Sequence, residues 1–95
     1  MPQQGLNLPI PIPNAGTSAA PALSEFNNQL YLAWKGEGNG TGIWWSKFDG
    51  SSWAPQQRVP NVGTSAAPAL ADEFPRALYM AWKGEGNGTG IWWSR

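Results

Sequence analysis

Apolar and polar positions alternate with period two in several short windows, and nowhere does a helical period appear. In QLYLAWK (29–35), Leu30, Leu32 and Trp34 alternate with Tyr31 and Ala33, which predicts a strand. IWWSKF (43–48) is aromatic and β-rich and predicts another. Between them GEGNGTG (36–42) is a glycine-dominated loop. An earlier strand is expected roughly over Ser18–Phe26, its paired alanines and proline fitting a tight inner position. Asp49–Gly50 signals a hairpin turn into a fourth strand, Trp53–Val59. Pro55 removes a ladder bond there and argues for an edge position. Pro60–Gly63 then turns the chain into a second copy of the pattern. No window of 11 residues free of Gly and Pro carries a 3.6 period, so helix is nearly excluded.

That second copy is close to literal. GTSAAPAL occurs at 16–23 and 63–70, and AWKGEGNGTGIWWS at 33–46 and 81–94. The offset is 47 residues before the variable segment and 48 after it, because LSEFNNQLY (23–31) becomes LADEFPRALY (70–79). A period of this size signals units that cannot bury their apolar faces alone and must stack.

Apolar side chains on both faces of the second and third strands demand neighbours on both sides. A β-propeller of four-stranded blades meets that demand, whereas a two-sheet sandwich usually keeps one polar face per sheet. The third strand of the second unit ends at Ser94, and the equivalent of the fourth strand is Leu6–Pro13, LNLPIPIP, aligned with Trp53–Pro60. The expected organisation is therefore residues 1–13 as an outer strand for a neighbouring subunit, 14–60 as one blade, and 61–95 as a blade completed by another chain. Two blades cannot close a ring of the usual 4–8. The expected fold is all-β, a propeller formed by cyclic homo-oligomerisation of two-bladed chains. Three copies would give six blades and four would give eight.

Composition narrows the chemistry. The chain has 95 residues, six Lys plus Arg against six Asp plus Glu, no Cys and no His. A net charge of zero gives no field to concentrate nucleic acid or an acidic membrane. Without Cys or His there are no disulfides, no His-based triads and none of the common transition-metal sites. No apolar run approaches the ~20 residues of a membrane helix, so no membrane insertion is expected. No cofactor is expected either. MPQQGLNLPIPIP lacks the basic start and apolar stretch of a signal peptide, and the compartment stays open.

Seven tryptophans stand at 34, 44, 45, 53, 82, 92 and 93. Trp34, Trp53 and Trp82 read as core. Trp44–Trp45 and Trp92–Trp93 are adjacent in a strand and so face opposite sides, leaving one of each pair free to line a groove. A tryptophan plane suits the C–H face of a sugar ring. Lys35, Glu37 and Asn39, with Lys83, Glu85 and Asn87 in the second unit, supply polar groups beside those tryptophans. These ten residues form the candidate carbohydrate site. Asn39–Gly40–Thr41 and Asn87–Gly88–Thr89 match the glycosylation pattern but read as turn chemistry. Asp49 reads as a turn residue. No arginine recurs at a repeat position, and paired carboxylates for glycoside hydrolysis do not converge, so catalysis is not expected.

A two-blade, Trp-rich chain of this length resembles the small bacterial and fungal propeller lectins. The resemblance implies monosaccharide pockets between adjacent blades and assembly of two-blade subunits into six-bladed rings, which favours three copies over four. Fucose-binding members use an Arg, a Glu and a Trp; Glu37 or Glu85 and one Trp of each pair could fill two of those roles, with Lys35 or Lys83 standing in for the Arg. SKFDGSSW (46–53) resembles the Asp-box of sialidase-like propellers, although Asp49 follows Ser46 by three residues and Gly50 follows directly. The near-identity of the units also resembles engineered symmetric propellers, in which assembly is the only purpose. The expected function is multivalent, non-catalytic sugar binding, with purely structural self-assembly as the alternative.

Overall fold

A computed structural model describes residues 9–95. The described chain is all-β, with two antiparallel sheets and no helix. The first sheet runs β1 (Ala22–Phe26), β2 (Gln29–Lys35), β3 (Ile43–Phe48) and β4 (Gln57–Arg58) in sequential order. The second runs β5 (Ala69–Glu73), β6 (Ala77–Lys83) and β7 (Ile91–Ser94), and has three strands. β2 and β3 occupy the bounds the alternation predicts. The other two strands of the first unit are shorter than expected, each for a local reason.

β1 begins at Ala22 rather than near Ser18. Thr17 Oγ1 accepts the Ala19 N–H (3.1 Å) and donates to the Ala19 carbonyl (3.1 Å), which bends the chain, and Pro21 has no N–H for a ladder. The fourth strand is broken by a register slip. Trp45 pairs with Gln57, yet Phe48 bridges Trp53 and the Ala54 N–H donates to the Lys47 carbonyl at 2.9 Å. Two residues, Pro55 and Gln56, thus stand opposite the single Ser46, which is a β-bulge. Ser46, buried, donates its hydroxyl to the Ala54 carbonyl at 2.7 Å across it.

The one-residue insertion between the units is absorbed in the first hairpin turn. Asn27 and Asn28, at φ 53° and 66°, make a two-residue turn between β1 and β2. The second unit replaces it with Phe74–Pro75–Arg76, with a cis Phe74–Pro75 bond. The strands on either side keep equivalent register. Phe26 and Phe74 meet edge-on across the sheets at 5.9 Å, tying the two turns together.

The sheets pack front to back. Tyr31, Ala33 and Trp45 share one face of the first sheet, as the pairing Ala33↔Trp45 requires, and they line the cleft between the sheets. Opposite them stand Leu70, Leu78 and Met80, whose counterparts Leu23, Leu30 and Leu32 lie on the other face of the first sheet. The first sheet's front therefore covers the second sheet's back. The second sheet's front, with Ile91 and Trp93, and the first sheet's back, with Leu23 and Leu30, carry exposed apolar side chains.

The expected outer strand Leu6–Pro13 lies partly outside the described residues. Residues 9–12 form no strand pairing. Gln56 Nε2 donates to the Pro13 carbonyl at 3.2 Å and to the Asn14 carbonyl, so the segment's base is fastened to the first sheet. Asn14 (φ 61°) matches Asn61 (φ 62°), so the chain enters both units through the same left-handed asparagine.

Candidate functional site

The β2–β3 loop is built around an ammonium group. Lys35 Nζ donates to the Ser18 hydroxyl at 2.7 Å, the Gly36 carbonyl at 2.9 Å and the Gly38 carbonyl at 2.9 Å. Lys83 repeats the set with Ser65 (2.8 Å), Gly84 (2.9 Å) and Gly86 (3.0 Å). An ammonium has three N–H donors, and all three are spent. Lys35 and Lys83, expected beside the site as donors, spend these bonds holding the glycine loop closed and fastening it to the segment entering the sheet. Gly38 and Gly86 make this possible at φ 56°, turning their carbonyls to the ammonium.

Glu37 and Glu85 take up equivalent positions at the rim. Glu37 folds over Gly16 so closely that a Cβ there would meet its carboxylate, and Glu85 does the same over Gly63. Among the described residues neither carboxylate accepts a protein hydrogen bond. Asn39 and Asn87 are exposed at the loop tips, where Gly40 N–H donates to the Glu37 carbonyl and Gly88 N–H to the Glu85 carbonyl, both at 2.8 Å. The glycine loop thus presents a carboxylate and a carboxamide to solvent.

The paired tryptophans divide as strand alternation requires, and the structure resolves which goes where. Trp44 stands cross-strand from Trp34 and Arg58, with its indole Nε1 against Gly36, so it belongs to the glycine loop. Trp45 faces the cleft, stacked on Tyr31 with ring centroids 6.1 Å apart and planes at 24°. Trp93 meets Tyr79 at 6.0 Å in the equivalent register, but with the planes tilted to 37° and the indole exposed. The cleft encloses a cavity of about 410 Å³ walled by Phe26, Tyr31, Trp45, Leu70 and Met80. Glu37, Asn39 and Trp44 therefore share one loop-and-strand region, and Trp45 lies on the sheet's other face.

Arg58 was not legible as a site residue because it occurs once and matches Pro11 in the other unit. Its guanidinium lies flat over Gly42, where a Cβ would sit 2.8 Å from Nε, and next to its cross-strand partner Trp44. In the second unit the Trp92 indole leans over the equivalent Gly90 instead. The only ion pair among the described residues is Arg76–Glu73, so Arg58 carries no carboxylate partner there. A bare glycine in GTGIWW facing a long side chain of the following strand was the signal available.

Asp49 is a turn residue. Its Oδ1 accepts the Ser51 N–H at 2.9 Å and the Ser52 N–H at 3.0 Å. The Ser52 and Ser51 backbone donors hold its carboxyl below its ordinary value of 3.8.

No protein-family model, curated protein or solved structure matches the chain.

Proposed function

We propose that the chain is a two-blade unit of a cyclic propeller and that the closed ring is a non-catalytic, multivalent carbohydrate-binding protein. Front-to-back packing is the observation that carries the assembly. A front-to-front sandwich would consume like faces in pairs, but front on back leaves one of each, and those can meet on another copy in the geometry already used within the chain. That contact is heterologous and closes by rotation. Three copies make a six-bladed ring.

Binding rests on the rim groups. Glu37, Asn39 and Trp44, with Arg58 alongside, combine an acceptor, an amide, an aromatic plane and a donor fork, the mixture that hydroxyl-rich rings require. Glu85, Asn87 and Trp92 offer the same set without the arginine. Each pocket would be weak, with Kd from millimolar to micromolar, roughly −4 to −8 kcal/mol. Several pockets on one ring raise avidity for a clustered glycan surface by about 10²–10⁴.

The test is Glu37→Ala with Glu85→Ala, read by glycan array and titration calorimetry. The double variant keeps its oligomer mass and loses sugar binding. Unchanged binding removes the loop from the site. The alternative, structural assembly with no ligand, is favoured by one observation: Lys35 and Lys83 spend every donor on holding their loops, so loop identity between units follows from folding alone. Absence of binding to any sugar at millimolar concentration decides for it.

A further inference from the structure

We infer that Pro9, Pro11 and Pro13 make the segment 9–13 a one-edged strand, able to pair with β7 of a second copy and with nothing beyond it. The inference rests on the assembly proposed above and supplies its register and its stop. The template is β4. The Val59 N–H donates to the Ile43 carbonyl at 2.9 Å, and Trp44 stands opposite Arg58. In an antiparallel ladder, inward and outward N–H groups alternate. Val59 and Gln57 therefore point their N–H groups at β3, while Arg58 points its own away.

The repeat offset carries this onto the first segment. Ile12 stands for Val59, Ile10 for Gln57 and Pro11 for Arg58. Laid on a second copy's β7, Ile12 donates to the Ile91 carbonyl and Ile10 to the Trp93 carbonyl. Pro9, Pro11 and Pro13 fall on the outward positions, where a missing N–H costs nothing. The finished edge then has no donors, so a further strand cannot add to it.

Side chains agree with the ladder. Within the chain, β4 is polar, Gln57–Arg58, and reaches β3 through a covalent turn. The segment meant for another molecule reads Ile10–Pro11–Ile12, and apolar burial is what association must supply. Ile10 is 85% exposed and Ile91 is 84% exposed, two large apolar surfaces waiting for cover. The Gln56 bonds to the Pro13 and Asn14 carbonyls fix where the segment leaves the first sheet.

The experiment is a parity test with proline, read by native mass spectrometry and by sedimentation against concentration. Ile10→Pro removes an inward donor at a residue that the single chain leaves open, so the chain's own fold is untouched. Ile10→Thr removes the same apolar surface and keeps the donor. The expected result is that Ile10→Pro weakens assembly about tenfold more than Ile10→Thr. Replacing Pro9, Pro11 and Pro13 together by Thr restores outward donors, and should turn a discrete ring into open, thioflavin-positive assemblies. Circular dichroism of each variant at low concentration checks that the sheets persist. Equal effects of Ile10→Pro and Ile10→Thr, or a triple variant that keeps the native ring, overturn the inference while leaving the ring in place. A wild-type chain that stays monomeric at high concentration removes the assembly itself, and the inference with it.

Discussion

IWWS occurs twice in this chain, as the start of β3 and as the whole of β7, and the two copies have opposite fates. Ile43 is 0% exposed and Ile91 is 84% exposed. Trp45 packs in the cleft beside Tyr31 while Trp93, beside the equivalent Tyr79, lies 67% open. Intrinsic propensity made both segments strands in equivalent register, Trp34↔Trp44 and Trp82↔Trp92. Burial came from elsewhere. Beside β3 lies β4, and the linker behind it returns so that the Thr64 N–H meets the Thr41 carbonyl at 2.8 Å. Among the described residues β7 has neither neighbour. The lesson is that a strand's pairing belongs to its sequence and its burial to its context.

The strongest way to break that comparison is to remove residues 1–13. If a second copy's first segment gives β7 what β4 gives β3, the truncated chain is monomeric at every concentration, while the full chain forms a cyclic oligomer. Native mass spectrometry reads this directly, and assembly of the truncated chain would refute the equivalence of the two neighbours.

The next test uses the two isoleucines. Ile43→Ala opens a cavity in packed surroundings and should cost about 3 kcal/mol in urea unfolding, within the range for large-to-small core changes. Ile91→Ala in the dilute, unassembled chain should cost close to nothing, because the side chain is already wet. In the assembled form the two costs should converge. Persistent inequality there would mean that β7 is not covered by its partner.

A smaller difference is expected between the lysines. Lys35 is 6% exposed and Lys83 is half-buried, although their hydrogen bonds match. Lys35→Met breaks three part-buried hydrogen bonds, to the Ser18 hydroxyl and to the Gly36 and Gly38 carbonyls, for roughly 2 kcal/mol. Lys83→Met should cost less, since water can replace the ammonium. Thermal unfolding of both variants in the unassembled chain gives the ranking, and equal losses would count against burial as the cause.

How far the residues announce all this depends on how local each cause is. β2 and β3 follow from alternation within seven residues, and the glycine loop between them from composition. The bulge at Pro55–Gln56 depends on Ser46 reaching the Ala54 carbonyl across the sheet, and the shortened β1 on a hydroxyl folding back on its own backbone. The lysine clamp needs Ser18, which is 17 positions from Lys35. Only the joint recurrence of Ser18 with Lys35 and of Ser65 with Lys83 hinted at it. Which tryptophan joins the loop was undecidable from alternation, because that rule separates Trp44 from Trp45 without saying which sheet face meets which neighbour. Arg58 was hidden by its lack of a repeat.

The smallest expected effect concerns the Asp49 turn, which leads β3 into β4, its fourth strand. Asp49 accepts two backbone N–H groups, and these donors favour its charged form, so its folded pKa lies below the ordinary 3.8. The sign follows from proton binding. A depressed carboxylate stabilises the fold at pH values above 3.8, and that contribution fades as the pH falls through the folded pKa, where both states bind the proton. Asp49→Asn keeps an acceptor oxygen and removes the charge. The wild type should therefore be modestly more stable than Asp49→Asn at pH 7. That margin should shrink steadily below about pH 3.8. Urea unfolding of both proteins at pH 7, 5, 3 and 2 measures it. A margin that stays constant across that series would mean that the charge of Asp49 contributes nothing and that the turn is held by Gly50 and the serine backbone alone.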